Sequence, residues 1–197
     1  MRITFATQLT LLRMVALPFI AIFFIYHEIQ WVCWLFTLAA LTDFLDGIVA
    51  RFLRQQTGLG AVLDPLADKL LINTCYFMMT YMSDRLTVQV PAWLTVLILS
   101  RDFLLLISAL LLAVFVQMRS FHPTLLGKTA VACQAITIFG VLMAEAYQLH
   151  IPGLPIAYGV TFTLTLGSGL QYAWRGLQWL NHPPATEPGT PPSHDGS

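Results

Sequence analysis

Six long apolar runs constrain what this chain can fold into. They lie at about 9–27, 31–53, 61–82, 91–117, 125–148 and 153–174, each near the ~20 residues that a bilayer core requires. Runs of this length are read as helices, because an open sheet edge cannot face lipid. Thr161, Thr163 and Thr165 alternate in a strand-like way, but the length of their run overrides that local pattern. Composition agrees: 57% of the 197 residues are hydrophobic and 10% are charged, against about 25% charged in soluble domains. The expected class is an all-α integral membrane protein with about six transmembrane helices. A formal charge of zero leaves no nucleic-acid footprint. Cys33, Cys75 and Cys133 give neither a disulfide framework nor a zinc pattern and read as small buried hydrophobes. The first run lacks a small-residue cleavage site, so it reads as a span rather than a signal peptide.

Short connectors separate the runs: His27 to Gln30, Asp84 to Val90, Arg119 to Pro123, and His150 to Pro152. Arg2, Arg13, Arg51, Arg54, Arg119, Lys128 and Arg175 fall near one set of ends, and Arg85 falls on the other. The positive-inside rule then places both termini in the cytoplasm. Residues 1–180 read as one transmembrane domain, and the proline-rich stretch 181–197 reads as a disordered cytoplasmic tail. Gly167, Ser168 and Gly169 are expected to let a neighbouring helix approach closely. Trp31, Trp34, Trp174 and Trp179 read as interfacial belt residues. His27, His122 and His150 read as solvated loop histidines, and Glu145 as a residue at headgroup level.

The chemistry concentrates between Asp43 and Asp68. Asp43 and Asp46 fall in the cytoplasmic third of the second run, and Asp64 and Asp68 in that of the third. Two helices thus deliver two acids each to one depth. Asp43, Asp46 and Ala50 share a face at i, i+3, i+7. Gly60, Asp64 and Asp68 share one at i, i+4, i+8 if the third helix includes Gly60; Pro65 would also allow a start near Asp64. Unpaired, each acid costs several kcal/mol at membrane depth. Oxygen-only ligands suit hard divalent cations, and two such ions can clamp the oxygens of a phosphoryl displacement. Arg51 adds a fixed charge suited to a diphosphate. The bland alternative pairs Asp43 or Asp46 with Arg51 and Asp68 with Lys69. Lys69 directly follows Asp68 and points elsewhere on a helix, and two acids would still lack a counter-charge.

The pattern Asp43-x-x-Asp46-Gly47-x-x-Ala50-Arg51, eight residues, Gly60-x-x-x-Asp64-x-x-x-Asp68 resembles the complete motif of the CDP-alcohol phosphotransferase (phosphatidyltransferase) family. Size, helix count and the opening Leu9-Thr10-x-x-Arg13 are similar too. One departure is Thr7, where this branch often carries Asn. The resemblance implies that Asp43, Asp46, Asp64 and Asp68 lie at two divalent ions, Mg²⁺ or Mn²⁺, with Asp68 as general base. It implies that Asp43, Gly47, Ala50, Arg51, Gly60 and Thr7 surround the cytidine diphosphate moiety. The implied reaction moves the phosphatidyl group of CDP-diacylglycerol to an alcohol, releasing CMP. Similar proteins are homodimers, and a bacterial inner membrane with the site at its cytoplasmic face is the expected location.

The acceptor stays open between glycerol-3-phosphate (phosphatidylglycerophosphate synthase) and phosphatidylglycerol (cardiolipin synthase). Ser100-Arg101-Asp102 and the run from His122 through Gly127, Lys128 and Gln134 look closer to the cardiolipin branch. Arg101 is deep for a cation. It is either an ion pair across helices or a phosphate clamp, and Asp102 at i+1 is expected to be a poor partner for it. Lys128 either joins that pocket or snorkels to headgroups. The rival reading is a cation transporter using the same acids. That would call for acids distributed through the membrane depth and helices broken near the midplane.

Overall fold

The computed structural model describes residues 5–53, 60–115 and 125–181, with side chains described within 11–42, at Ala67, and within 69–108 and 125–174. Six α-helices make up the described chain: α1 (Phe5–Ile25), α2 (Ile29–Leu53), α3 (Gly60–Tyr81), α4 (Ala92–Phe115), α5 (Leu125–Ala146) and α6 (Leu154–Asn181). There is no strand among the described residues. The first five helices fall within a few residues of their apolar runs, and α6 continues seven residues past the expected end at 174. The connector Arg119–Pro123 and the tail beyond Asn181 lie outside the described residues.

The threonine alternation resolves as helix. Thr161 and Thr165, one turn apart, are fully buried. Thr163 faces out and donates its hydroxyl to the Gly159 carbonyl of its own helix at 2.9 Å. A helix places i and i+4 on one face and i+2 on the other, so the same three residues satisfy either pattern.

The three described turns gather at one end of the bundle. Arg85 Nη1, after α3, lies 3.5 Å from His27 Nε2 in the α1–α2 turn. The Tyr158 hydroxyl of α6 donates to the Gln89 carbonyl before α4. Glu145, near the end of α5, joins the turns most firmly: its carboxylate accepts the backbone N–H of Thr87 at 3.2 Å and of Val88 at 2.8 Å. Gln148 follows with φ 53, donating to the Glu145 carbonyl and accepting from the Thr87 hydroxyl. Glu145 is buried at this end of the bundle, and its carboxylate is engaged by the loop rather than left to solvent. Amides of an irregular loop need acceptors, and a carboxylate on the next hairpin supplies two. His27 (φ 61) and His150 are exposed in turns, as expected of loop histidines.

α1 packs against α2 and α3, α5 against α2, α3 and α6, and α4 against α3 and α6. The apolar core near the turn end holds Ile20, Phe24, Val32, Phe36, Tyr76, Met79, Leu94, Ile98, Ile138 and Leu142. The polarity of the bundle is otherwise inverted. Arg13, Arg101, Asp102, Gln134, Thr137 and Ser168 are buried, while Leu12, Val15, Phe19 and Ile22 line the exposed side of α1. Such an exterior, with large apolar side chains exposed along the helix, is unlike the singly scattered apolar residues of soluble surfaces. Tyr26, Trp31, Tyr81 and Trp93 are exposed around the turn end, as in an interfacial aromatic belt. α5 is long and apolar enough to cross a membrane, and Leu11–Ile25 and Ile29–Thr42 are shorter apolar helical stretches, by length and composition among the described residues.

Replacing Glu145 with Ala leaves the Thr87 and Val88 amides without their acceptors, at a cost of about 2 kcal/mol. The expected result is a lower thermal midpoint for Glu145→Ala in detergent, with Glu145→Gln between it and the parent. Equal midpoints for all three would remove Glu145 as the clamp of the turn end.

Candidate active site

α2 is helical through Asp43, Asp46, Gly47, Ala50 and Arg51, and α3 is already helical at Gly60. The i, i+3, i+7 face of α2 and the i, i+4, i+8 face of α3 therefore both hold. Of the two starts considered for α3, the earlier one is observed. Pro65 falls in its second turn, where it removes the bond that would reach back to the Ala61 carbonyl.

The acids share a level. α2 begins at the turn end and α3 finishes there. At 1.5 Å per residue, Asp43 and Asp46 lie roughly 21 and 25 Å along α2 from that end, and Asp68 and Asp64 roughly 20 and 25 Å along α3. Both helices are held by the same two neighbours, α1 and α5. Thr7 lies in the first turn of α1. The side chains of Thr7, Asp43, Asp46, Ala50, Arg51, Asp64 and Asp68, and the surroundings of Gly47 and Gly60, lie outside the described residues. The donor chemistry fits hard divalent cations, since the shared level offers carboxylate oxygen without nitrogen or sulfur ligands from the motif. Among the described residues no group of three His, Cys, Asp or Glu side chains could hold a metal ion.

One helix away, α4 brings a second charged group to the interior. Arg101 and Asp102 are each 5% exposed, and Arg101 Nη1 donates to Asp102 Oδ1 at 2.6 Å. The expectation that i+1 neighbours pair poorly is overturned. In a low-dielectric interior a buried guanidinium takes the strongest acceptor its long side chain can reach, and that is the next residue. Lys69 Nζ of α3 stands 3.8 Å from the same Oδ1. Lys69 thus reaches toward α4, while the Asp68 side chain lies outside the described residues. Among the described residues, Arg101 Nε is buried without a hydrogen-bond partner.

Between α3 and α4 runs a groove of about 440 Å³, lined by Lys69, Asn73, Ser100 and Asp102 with Leu70, Leu99, Phe103 and Leu106. Among the described residues, the buried Oδ1 of Asn73 has no hydrogen-bond partner. Sequence reasoning missed Asn73 and the Lys69–Asp102 pair. The signal was there: Lys69 and Asn73 are polar at i and i+4 within an apolar run. Lys128 is exposed in the first turn of α5, as a snorkelling lysine would be. Arg13 of α1 is buried.

α6 closes the interior opposite α3. A Cβ added to Gly169 would stand 3.6 Å from Arg101 Cγ, so the small-residue stretch does bring α6 against α4 as expected. A polar seam continues along α5 and α6. Gln134 Nε2 donates to Thr165 Oγ1 at 2.9 Å, the Thr137 and Thr161 hydroxyls are 2.8 Å apart, and the Tyr76 hydroxyl of α3 donates to the Gln134 carbonyl at 3.1 Å.

The chain matches the family model for CDP-alcohol phosphatidyltransferase over residues 3–167. It is 31% identical over 188 residues to a CDP-diacylglycerol–glycerol-3-phosphate 3-phosphatidyltransferase of Wigglesworthia glossinidia brevipalpis, covering 90% of this chain and 98% of the relative. The protein of the same name from Escherichia coli strain K12 is 31% identical over 178 residues, covering 87% and 94%. A probable phosphatidylglycerophosphate synthase of Mycobacterium tuberculosis strain H37Rv is 31% identical over 179 residues, covering 88% and 81%.

The α4–α6 approach makes a test. The 3.6 Å separation is ordinary van der Waals contact, so Gly169→Ala should keep or raise the thermal midpoint, since Ala favours helix by about 1 kcal/mol over Gly. Gly169→Leu should lower it by pushing on the Arg101 stem. A Leu variant as stable as the Ala variant would mean that α6 does not seat Arg101.

Proposed function

Because this chain belongs to the CDP-alcohol phosphatidyltransferase family, we propose that it transfers the phosphatidyl group of CDP-diacylglycerol to glycerol-3-phosphate, releasing CMP. It is an enzyme of phospholipid biosynthesis. The observation that carries the reading is the level shared by two acid pairs on two continuous helices, within an interior that also holds a buried arginine. Glycerol-3-phosphate is favoured over phosphatidylglycerol because relatives matching about nine-tenths of the chain are named for that acceptor. Those matches outweigh the lean of Ser100-Arg101-Asp102 toward the cardiolipin branch. The transporter reading loses support, because α2 and α3 run unbroken through the acid positions.

In this reading Asp43, Asp46, Asp64 and Asp68 hold two divalent cations, Mg²⁺ or Mn²⁺, which when bound offset the charge of the diphosphate. Gly47, Ala50 and Gly60 leave room for the cytidine diphosphate, and Thr7 offers it a hydroxyl. Asp68 takes the proton of the acceptor hydroxyl. That oxygen attacks the phosphorus carrying diacylglycerol, the bond to the CMP phosphate breaks, and CMP leaves with its charge offset by Arg51. In-line displacement depends on positioning, and helices fixed at their turn end provide it. Arg101 takes the acceptor's phosphate, and exposed Lys128 contributes at longer range. Six spans, cytoplasmic termini, a bacterial inner membrane with the site at its cytoplasmic face, and a homodimer complete the proposal.

Purified protein given CDP-diacylglycerol and Mg²⁺ or Mn²⁺ should release CMP with glycerol-3-phosphate and not with phosphatidylglycerol. The reverse preference would restore the cardiolipin reaction. Asp68→Asn should fold and lose turnover by at least a hundred-fold, in the range general-base removal costs; substantial retained activity would take Asp68 out of the base role.

A further inference from the structure

Arg101 is nearly fully buried, yet among the described residues its Nε has no hydrogen-bond partner. A guanidinium carries its donors on a planar fork, and one edge, Nε with Nη2, suits two phosphate oxygens at once. Asp102 is bonded at the other corner, through Nη1. A pair serving stability alone would do better to satisfy the buried Nε. Here the carboxylate holds one nitrogen and leaves the buried Nε as an idle donor.

The same Oδ1 attracts Lys69 from α3 at 3.8 Å, and the Lys69 side chain keeps 28% of its surface exposed, at the groove. Lys69, Arg101 and Asp102 together carry one net positive charge in a largely buried place. Counted among the described residues, a buried cluster of that charge with an unused N–H favours an anion beside it. α6 stands at the stem of Arg101, where a Cβ added to Gly169 would lie 3.6 Å from Arg101 Cγ.

We infer that Asp102 is a positioning residue for the acceptor: it fixes Arg101 by Nη1 so that the Nε edge is presented to the phosphate of glycerol-3-phosphate, and it draws Lys69 toward the same anion. The inference rests on the proposed acceptor role of Arg101. Asp102 touches neither the reacting phosphorus nor the attacking oxygen in this scheme. Its loss therefore acts on acceptor binding more than on the chemical step.

The test uses the full chain in detergent with CDP-diacylglycerol and Mg²⁺, varying glycerol-3-phosphate. Asp102→Asn should raise the KM for glycerol-3-phosphate about ten-fold, as expected when one charged hydrogen-bond partner is lost. The KM for CDP-diacylglycerol should hardly move, and Asp102→Glu should recover part of the loss. In an Arg101→Lys background the Asp102→Asn step should add little, because the two residues act as a unit. A fall in kcat or thermal midpoint at unchanged acceptor KM would make Asp102 merely structural and overturn the inference. So would full additivity with Arg101→Lys. If Arg101→Lys and Arg101→Ala themselves leave the acceptor KM unchanged, the acceptor role of Arg101 fails first, and the inference with it. Should Asp102→Asn not fold, Asp102→Glu decides. Its folded state should be stabilised by glycerol-3-phosphate only at higher concentration than the parent requires, and an unchanged concentration dependence would overturn the inference.

Discussion

Charge buried inside a bundle whose outside is apolar must find its partners within the bundle. The faces of α1 that carry Leu12, Val15, Phe19 and Ile22 are exposed, so polar atoms gain nothing by turning outward. Taking an ion out of water costs several kcal/mol even after relaxation. Arg101 answers that cost with its own neighbour, and Lys69 crosses from α3 to share the carboxylate. The α5–α6 seam follows the same rule with neutral groups, where Gln134, Thr137, Thr161 and Thr165 satisfy one another.

The turn end gives this interior its alignment. Glu145 on one hairpin accepts two amides from the loop between α3 and α4, and the α1–α2 turn meets the same loop through His27 and Arg85. Helices tied at one end keep their residues level along their length, at a fixed rise per residue. The acids of α2 and α3 lie some four turns from those ties. Their common level is thus a consequence of contacts made at the opposite end of the molecule.

A phosphoryl displacement asks little covalent work of a protein and much positioning. The two parts of the interior divide that task. In the proposed reaction the acid level of α2 and α3 serves the nucleotide and its leaving group. The α4 cation, on a helix packed against α3 and α6, is the group proposed to take the second anion. Small residues recur at both parts, and at Gly169 the reason is visible: the helix beside Arg101 must come within contact distance of its stem.

How much was legible in the sequence follows from how local each feature is. The six helices could be read because backbone satisfaction in lipid leaves one choice for an apolar run of that length. The acid faces could be read because helical register depends on spacing alone, and two runs of opposite direction fix a common depth without knowledge of packing. The Arg101–Asp102 bond could not be read, since adjacent residues diverge on a helix and the pair forms only when burial removes water as the competing partner. The role of Glu145 was hidden for a related reason: its partners are backbone amides some 57 residues away, and amides leave no mark in a sequence. Spacing along the chain decided which residues share a face, and burial between helices decided which of them bond, because a helix fixes direction locally while the dielectric and the available partners are set by everything packed around it.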